Sequence, residues 1–181
     1  MEKRPFWART NRALWVTLLL AVAVITYCVV LWAVKQPHLR DVRGLCDDVQ
    51  VLAAQQLVLT QEEAEALLRE QDTEARHSEL KNQLYKHFVA DSDYLDEAAV
   101  TLDNLLTSER LTSPKPRKAK VASKMLDDDT AQMVMLYEME SDKTSNSYDR
   151  TELRISLVCK RVDGVWRIYR LGDVDVWMYG Y

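Results

Sequence analysis

The chain has 181 residues and a formal net charge of −4, with 48% hydrophobic and 29% charged residues. Basic residues dominate the first twelve positions and the remainder is acidic, which excludes nucleic acid and anionic lipid surfaces as expected partners. With four glycines and four prolines, it is not a low-complexity chain.

The first element is an apolar segment, residues 13–34, which reads ALWVTLLLAVAVITYCVVLWAV without a charge, glycine or proline. As a helix it would measure roughly 33 Å, enough to cross a hydrocarbon core of about 30 Å. Trp15 and Trp32 lie near its ends, where aromatic residues meet the membrane interfaces. A buried core helix is a weaker alternative, because core helices are seldom apolar on every face. We therefore predict a transmembrane helix in contact with membrane lipid.

A cleaved signal peptide is the sharper alternative, since four basic residues precede the segment. The apolar run is longer than a usual signal core and no A-x-A-like site follows it, which favours an uncleaved signal anchor. The other flank carries only Lys35, Arg40 and Arg43. The positive-inside rule thus predicts a single-pass protein of the cell inner membrane, with residues 1–12 cytoplasmic and the C-terminal part periplasmic.

Residues 35–74 are predicted to form a helical stalk, with Pro37 ending or bending the span. The apolar register after Leu45 fails beyond Leu59, which gives a sustained coiled coil weak support. Thr60 and Glu63 form a T-x-x-E capping box, where a new helix begins or a continuous helix tolerates the threonine. Self-association through residues 45–89 would instead suit a divisome-like bitopic protein.

Residues 75–181 are predicted to be the extracytoplasmic domain, and they begin with helices. Leu80, Leu84 and Phe88 form one apolar face of a helix that ends near Val89. Asp91 and Ser92 are N-cap candidates for an amphipathic helix that reaches residue 106. A loop with two prolines follows, and its basic residues either solubilise it or meet an acidic partner or a phosphate. Those basic residues are Arg110, Lys115, Arg117 and Lys118.

After Ala119 the hydrophobic period changes to two, which predicts four strands. They cover residues 119–126, 131–140, 151–161 and 165–171, with a polar loop at 141–149. Asp163 and Gly164 form a two-residue hairpin turn, which places Val162 opposite Val165 and Cys159 opposite Ile168. The tail 174–181 adds an edge strand or covers an apolar patch.

Helices followed by a four-strand meander predict an α+β fold, with helices packed on a curved antiparallel sheet. The ending KRVDGVWRIYRLG is similar to the closing hairpin of the NTF2-like (cystatin-like) fold, and the similarity covers about residues 75–176. The layout of tail, span and domain resembles VirB8-like components of type IV secretion and conjugation machines. No motif matches that family residue by residue. The resemblance implies a scaffold or assembly subunit that contacts other membrane or envelope proteins and can form a homo-oligomer.

The sequence contains no G-x-S-x-G, P-loop, G-x-G-x-x-G or H-E-x-x-H motif, so we predict no enzyme, cofactor or metal. His87 lies beside the apolar helix face and either reaches a cleft rim or is solvated. The run Asp127–Asp129 fits a turn better than a calcium loop. The alternative function, implied by the fold resemblance, is a membrane-tethered domain that binds a small ligand or is an enzyme.

Two sets of side chains are candidate sites. Cys46 and Cys159 lie on the same side of the span and form a disulfide in an oxidising compartment, or remain unrelated thiols. The second set lies on the strand predicted at 131–140, where both faces are apolar, and in the tail 174–181. Either its methionines pack in the core, or its residues form a surface that contacts a partner protein. These predicted protein-contact residues are Met133, Val134, Met135, Leu136, Trp177 and Tyr179.

Overall fold

The computed structural model describes residues 7–179 apart from Gln71, Asp91, Glu109 and residues 141–149. Side chains are described from Leu14 to Trp177, outside those gaps and Arg150. The predicted polar loop at 141–149 therefore lies outside the described residues. The chain divides into two compact units, Met1–His38 and Leu39–Tyr181.

The first unit contains the predicted span, within helix α1 (Trp7–Val58). This helix is long and apolar enough to cross a membrane, and none of its most apolar window is buried. Of the two alternatives for Pro37, that it ends the span is wrong, because α1 includes Pro37 and continues to Val58; that it bends the span remains a prediction. A proline removes one backbone hydrogen bond, and the remaining bonds of a long helix can still hold it together.

The second unit begins with the part of α1 that was predicted to be a stalk. From Leu39 onward this segment belongs to the domain, so the predicted boundary at residue 75 is wrong. Side chains that repeat every three or four residues along it are completely buried and join the same core as the sheet. They are Val42, Cys46, Val49, Ala53, Ala54 and Leu57. The apolar stripe on this part of α1 does not continue as a heptad repeat. It therefore packs against the rest of its own domain.

Three shorter helices follow: α2 (Gln61–Glu70), α3 (Thr73–Tyr85) and α4 (Leu95–Asp103), which leads into a 3₁₀ turn, Asn104–Thr107. The capping box is confirmed, because the Thr60 amide donates to Glu63 Oε2 at 2.8 Å and the Glu63 amide donates to Thr60 Oγ1 at 3.2 Å.

Two helix boundaries differ from the prediction. The helix expected over 61–89 is broken where the Asp72 carboxylate accepts from the Glu74 amide at 3.2 Å and caps α3. Helix α4 begins at Leu95, later than expected, with Tyr94 as its N-cap residue. The Ser92 hydroxyl donates instead to the Tyr169 carbonyl at 2.9 Å, and Asp91 lies outside the described residues. Local propensity alone did not indicate these contacts.

The four strands form one antiparallel sheet in the order β1-β2-β3-β4. They are β1 (Lys118–Met125), β2 (Thr130–Met139), β3 (Arg150–Val162) and β4 (Val165–Tyr179). The hairpin register is confirmed, since Val162 pairs with Val165 and Cys159 with Ile168. Asp163 and Gly164 have φ values of 52° and 80°, as a type I′ turn requires.

The tail from Val174 to Tyr179 is the continuation of β4, paired with β3 beyond irregularities in the register, and is not a separate edge strand. One sheet face packs with the helices in a continuous core. Its strand residues are Ala131, Met133, Met135, Tyr137, Leu153, Ile155, Leu157, Cys159 and Ile168. The α+β class, with helices packed on a curved antiparallel sheet, is confirmed.

Candidate functional site

The first candidate site is the sheet face opposite the core. Because successive strand residues point to opposite faces, Val134, Leu136 and Val158 alternate with buried residues. These three side chains are half-buried, and Trp177, which pairs with Glu152, is 47% exposed. We call the surface formed by Val134, Leu136, Val158 and Trp177 the open face. It offers apolar side chains to solvent on both sides of Glu152 and Arg154, which lie on the same face of β3.

The structure separates the predicted protein-contact residues into two groups. Met133 and Met135 are 1% and 0% exposed, so the expectation that they contact a partner is wrong and the alternative of core packing holds. Val134, Leu136 and Trp177 lie on the accessible face, where their contact role remains a prediction. The side chain of Tyr179 lies outside the described residues. Strand alternation therefore assigns the valine and leucine to the candidate site.

Charges of opposite sign flank the open face. Lys118, Lys120 and Lys124 lie on β1 on the same face as Leu136, which pairs with Lys120. On the far side of the sheet, β4 contributes Asp175, which pairs with Arg154. The open face thus has a basic border along β1 and an acidic residue on β4.

The second candidate site is a cleft of ≈ 280 Å³ among the helices. Its lining combines amide, charged and leucine side chains from the four helices, the connection between α1 and α2, and the 3₁₀ turn. They are Gln55, Gln56, Leu59, Leu67, Arg76, Glu79, Leu80, Gln83, Asp103 and Leu106. The Gln83 Oε1 atom is buried and accepts no hydrogen bond from a described residue. A buried acceptor without a donor is costly, so this atom would favour a water or a ligand that donates to it.

The floor of the cleft is a buried ion pair that the sequence interpretation missed. Arg76 Nε donates to Asp103 Oδ1 at 2.9 Å, Nη2 donates to Oδ2 at 3.2 Å, and both side chains are 8% exposed. The hydrogen bond that Arg76 donates to Asp103 raises the pKa of Arg76. His77 Nε2 lies 3.0 Å from Asp103 Oδ2. Both carboxylate oxygens are therefore occupied, which suits a structural role better than a catalytic one.

Two adjacent acids of α1 attach this helix to the rest of the domain. The Tyr137 hydroxyl donates to Asp47 Oδ1 at 2.8 Å, and burial raises the pKa of Tyr137. His87 Nδ1 lies 3.2 Å from Asp48 Oδ2. His87 is thus held at an interface between elements and is not a free side chain at a cleft rim.

The environment of His87 predicts a pH dependence of stability. Burial lowers its pKa, Asp48 opposes the shift, and Lys86 and Arg167 reinforce it. The unfolded state, with a histidine pKa of about 6.5, therefore binds a proton before the folded state does. Stability should fall as the pH decreases through and below about 6.5. The fall in Tm between pH 7.5 and pH 5.5 should be smaller in His87→Gln, and an equal fall in both proteins would contradict this assignment.

Cys46 and Cys159 are both free, completely buried and part of the same core. Burial raises the pKa of Cys159 to about 12 and raises that of Cys46 as well. Both thiols are therefore protonated at neutral pH and are poor nucleophiles. The disulfide between them remains a prediction.

The structure does not bring the basic side chains of the predicted loop together as one cluster. The Arg110 guanidinium turns inward and donates to the carbonyls of Gln56 at 2.8 Å and Leu105 at 3.1 Å, and also to that of Leu106. Arg117 Nε donates to Glu140 Oε1 at 2.8 Å. The loop therefore supplies a helix C-terminal cap and an ion pair, and the structure offers no convergent phosphate site among these described residues.

The acidic turn has a backbone role. The Asp127 carboxylate accepts from the Asp129 amide at 2.8 Å, which lowers the pKa of Asp127. Asp129 itself pairs with Arg161 at 3.1 Å. Across the part of the chain that the structure describes, no three His, Cys, Asp or Glu side chains gather as a metal-ligand set.

Comparison with models of known protein families gives no match. Comparison with curated protein sequences gives no match either. Among solved structures, the chain is similar to a protein from Xanthomonas campestris described as a calcium/calmodulin dependent protein kinase II association domain. The two share 17% identity, the TM-score is 0.31, and the match covers 59% of this chain and 81% of that chain. The α+β class rests on the helices and the four-stranded antiparallel sheet described above.

Proposed function

We propose that the protein is a single-pass membrane-anchored scaffold or assembly subunit of an envelope complex, of the secretion or conjugation type. It has no enzymatic role in this proposal and acts through protein contacts on its open face. The observation that carries the proposal is the set of apolar side chains Val134, Leu136, Val158 and Trp177 on an accessible sheet face.

Such a surface is suited to a protein interface. Apolar side chains left exposed on one face commonly mark an interaction site, and tryptophan is enriched among residues that dominate binding energy. The Lys120 side of the open face is basic and Asp175 lies on the other side, so a partner of complementary charge would dock in one orientation.

The membrane anchor is supported by the exposure of the N-terminal unit. Leu14, Trp15, Leu19, Ile25 and Trp32 are each more than 60% exposed. Side chains of this kind are stable in a bilayer, where burial in lipid replaces contact with water. The basic tail before the span places the N-terminus in the cytoplasm and the domain outside the inner membrane in this proposal.

Site-specific photocrosslinking in native membranes tests the proposed interface. A photoreactive residue at Leu136 or Trp177 of the full-length protein should crosslink to one membrane or envelope protein, or to a second copy. Val100 on α4 is 40% exposed and serves as the matched control position outside the open face. Val134→Asp should abolish the Leu136 crosslink without lowering the amount of folded protein. Equal crosslinking from Val100, or none from either open-face position, would overturn the proposal.

A second candidate function is favoured by the unsatisfied Gln83 oxygen in the helical cleft. The space between sheet and helices is filled by Met133, Met135 and Leu157, so a small ligand would bind in the cleft instead. Native mass spectrometry of protein purified in mild detergent tests this candidate. A retained small molecule that is lost in Gln83→Leu and kept in Gln83→Glu would support it, and ligand-free protein would count against it.

A further inference from the structure

The strand β1 forms an edge of the sheet and pairs only with β2 among the described residues. Every residue from Lys120 to Lys124 is exposed, so both faces of the strand are accessible there. An edge strand carries a row of backbone N–H and C=O groups that can pair with another extended chain. β1 is therefore accessible at its backbone edge and on both faces.

The hydrogen-bond pattern shows which residues point toward this free edge. The Leu126 amide donates to the Thr130 carbonyl at 2.8 Å, and the pairing register continues from there along β1. In an antiparallel ladder, alternate residues bond to the neighbouring strand and the residues between them point away from it. Counted back from Leu126 in steps of two, the residues whose backbone groups form hydrogen bonds with β2 are Lys124, Ala122 and Lys120. The backbone groups of Val121 and Ser123 therefore face the free edge.

The side chains of β1 select the chemistry of a partner. Lys118, Lys120 and Lys124 lie on one face, and no ion pair joins any of them to another described residue. Neighbouring positions on that face, such as Lys118 and Lys120, are about 6.7 Å apart along the strand, which matches every second residue of an added strand. On the other face, Val121 is 42% exposed.

A second copy of this chain fits the edge poorly. Pairing β1 with β1 of another copy would bring two lysine-bearing faces of the same charge side by side, which is a known device against self-association of sheet edges. An acidic strand meets the same lysines with favourable charge. Charge therefore distinguishes an acidic partner from a second copy.

We propose that the free edge of β1 binds an extended acidic segment of a partner protein, which adds to the sheet as a further strand. Acidic side chains at alternate positions lie beside Lys118, Lys120 and Lys124, and small apolar side chains between them pack on Val121. Val121 and Ser123 make the backbone hydrogen bonds. The lysines of this site border the open face, but the backbone edge of β1 is distinct from it, and pairing there does not depend on binding to Val134, Leu136, Val158 and Trp177.

Fluorescence anisotropy of the full-length protein in a non-ionic detergent tests the proposal. The probe is a fluorescein-labelled heptapeptide of alternating glutamate and valine, and its control carries lysine in place of glutamate. The acidic peptide should bind at least tenfold more tightly than the basic one, and binding should weaken as salt is raised. A triple variant with Lys118→Glu, Lys120→Glu and Lys124→Glu should reverse the preference.

A matched pair of variants separates strand addition from simple charge attraction. Ser123→Pro removes an edge N–H without removing a β2 hydrogen bond, and Ser123→Ala keeps the N–H. Proline should weaken the acidic peptide at least tenfold and alanine less than twofold, with thermal unfolding confirming that both variants are folded. Equal binding to both variants, or no preference for the acidic peptide, would overturn the proposal. Self-association that is lost in Ser123→Pro, without peptide binding, would assign the edge to a second copy instead.

Discussion

A fragment of residues 39–181 is expected to be soluble and folded, whereas a fragment of residues 75–181 is expected not to fold. The second fragment lacks the α1 side chains that are completely buried, including Val49 and Leu57. Full burial of a valine or leucine side chain contributes about 1.5–3 kcal/mol, and the net stability of a domain is only about 5–15 kcal/mol. Loss of the whole buried stripe therefore removes a large part of that margin. Circular dichroism and size-exclusion chromatography provide the measurement.

A third fragment, residues 60–181, isolates the contribution of α1. It keeps α2, α3, α4 and the sheet but still lacks the stripe, so it should fail to fold as the 75–181 fragment does. A cooperative thermal transition in either short fragment would restore the interpretation of residues 35–74 as a stalk. The result therefore distinguishes a core helix from a spacer.

Breaking the buried Arg76–Asp103 pair is expected to cause the largest loss of stability among single substitutions outside the apolar core. Arg76→Met leaves the Asp103 carboxylate buried without its bidentate partner, and both groups are only 8% exposed. Removing one member of such a pair typically costs about 3–5 kcal/mol. For a domain of this size that corresponds to a fall in Tm of about 10 °C or more. The Tm of each variant is measured by thermal unfolding of the full chain in detergent, monitored by near-ultraviolet circular dichroism.

The double variant Arg76→Met with Asp103→Leu provides the control. It replaces both charges by apolar groups, and buried pairs exchanged in this way often lose little stability or none. The double variant should therefore be more stable than Arg76→Met alone. If the double variant is the less stable of the two, lost packing rather than an uncompensated charge explains the effect.

The parts of the fold that local pattern determines were predicted from the sequence. Asp163 and Gly164 specify a type I′ turn, and this turn sets the register of β3 and β4. Period-two alternation located the strands to within about one residue of their observed ends, with β4 as the exception because of its long tail. Helical spacing likewise identified Leu102 and Leu105 as core residues.

The missed features depend on contacts between distant residues. Arg76 stands four residues before Leu80 on the apolar stripe of α3, and Asp103 stands beside Leu102 on that of α4. A charge on an apolar stripe was the available signal, but only tertiary structure shows that these two residues meet. On β2, residues of both faces are apolar, so alternation alone did not show whether Met135 or Leu136 faces the core.

Two observations taken together test the membrane-anchored account most directly: alkaline carbonate extraction of membranes that contain the full-length protein, and the intact mass of the extracted chain. The account predicts that the protein stays in the membrane pellet and that its mass includes residues 13–34. Release into the carbonate supernatant, or a mature chain that begins after residue 34, would contradict it and would indicate a secreted domain.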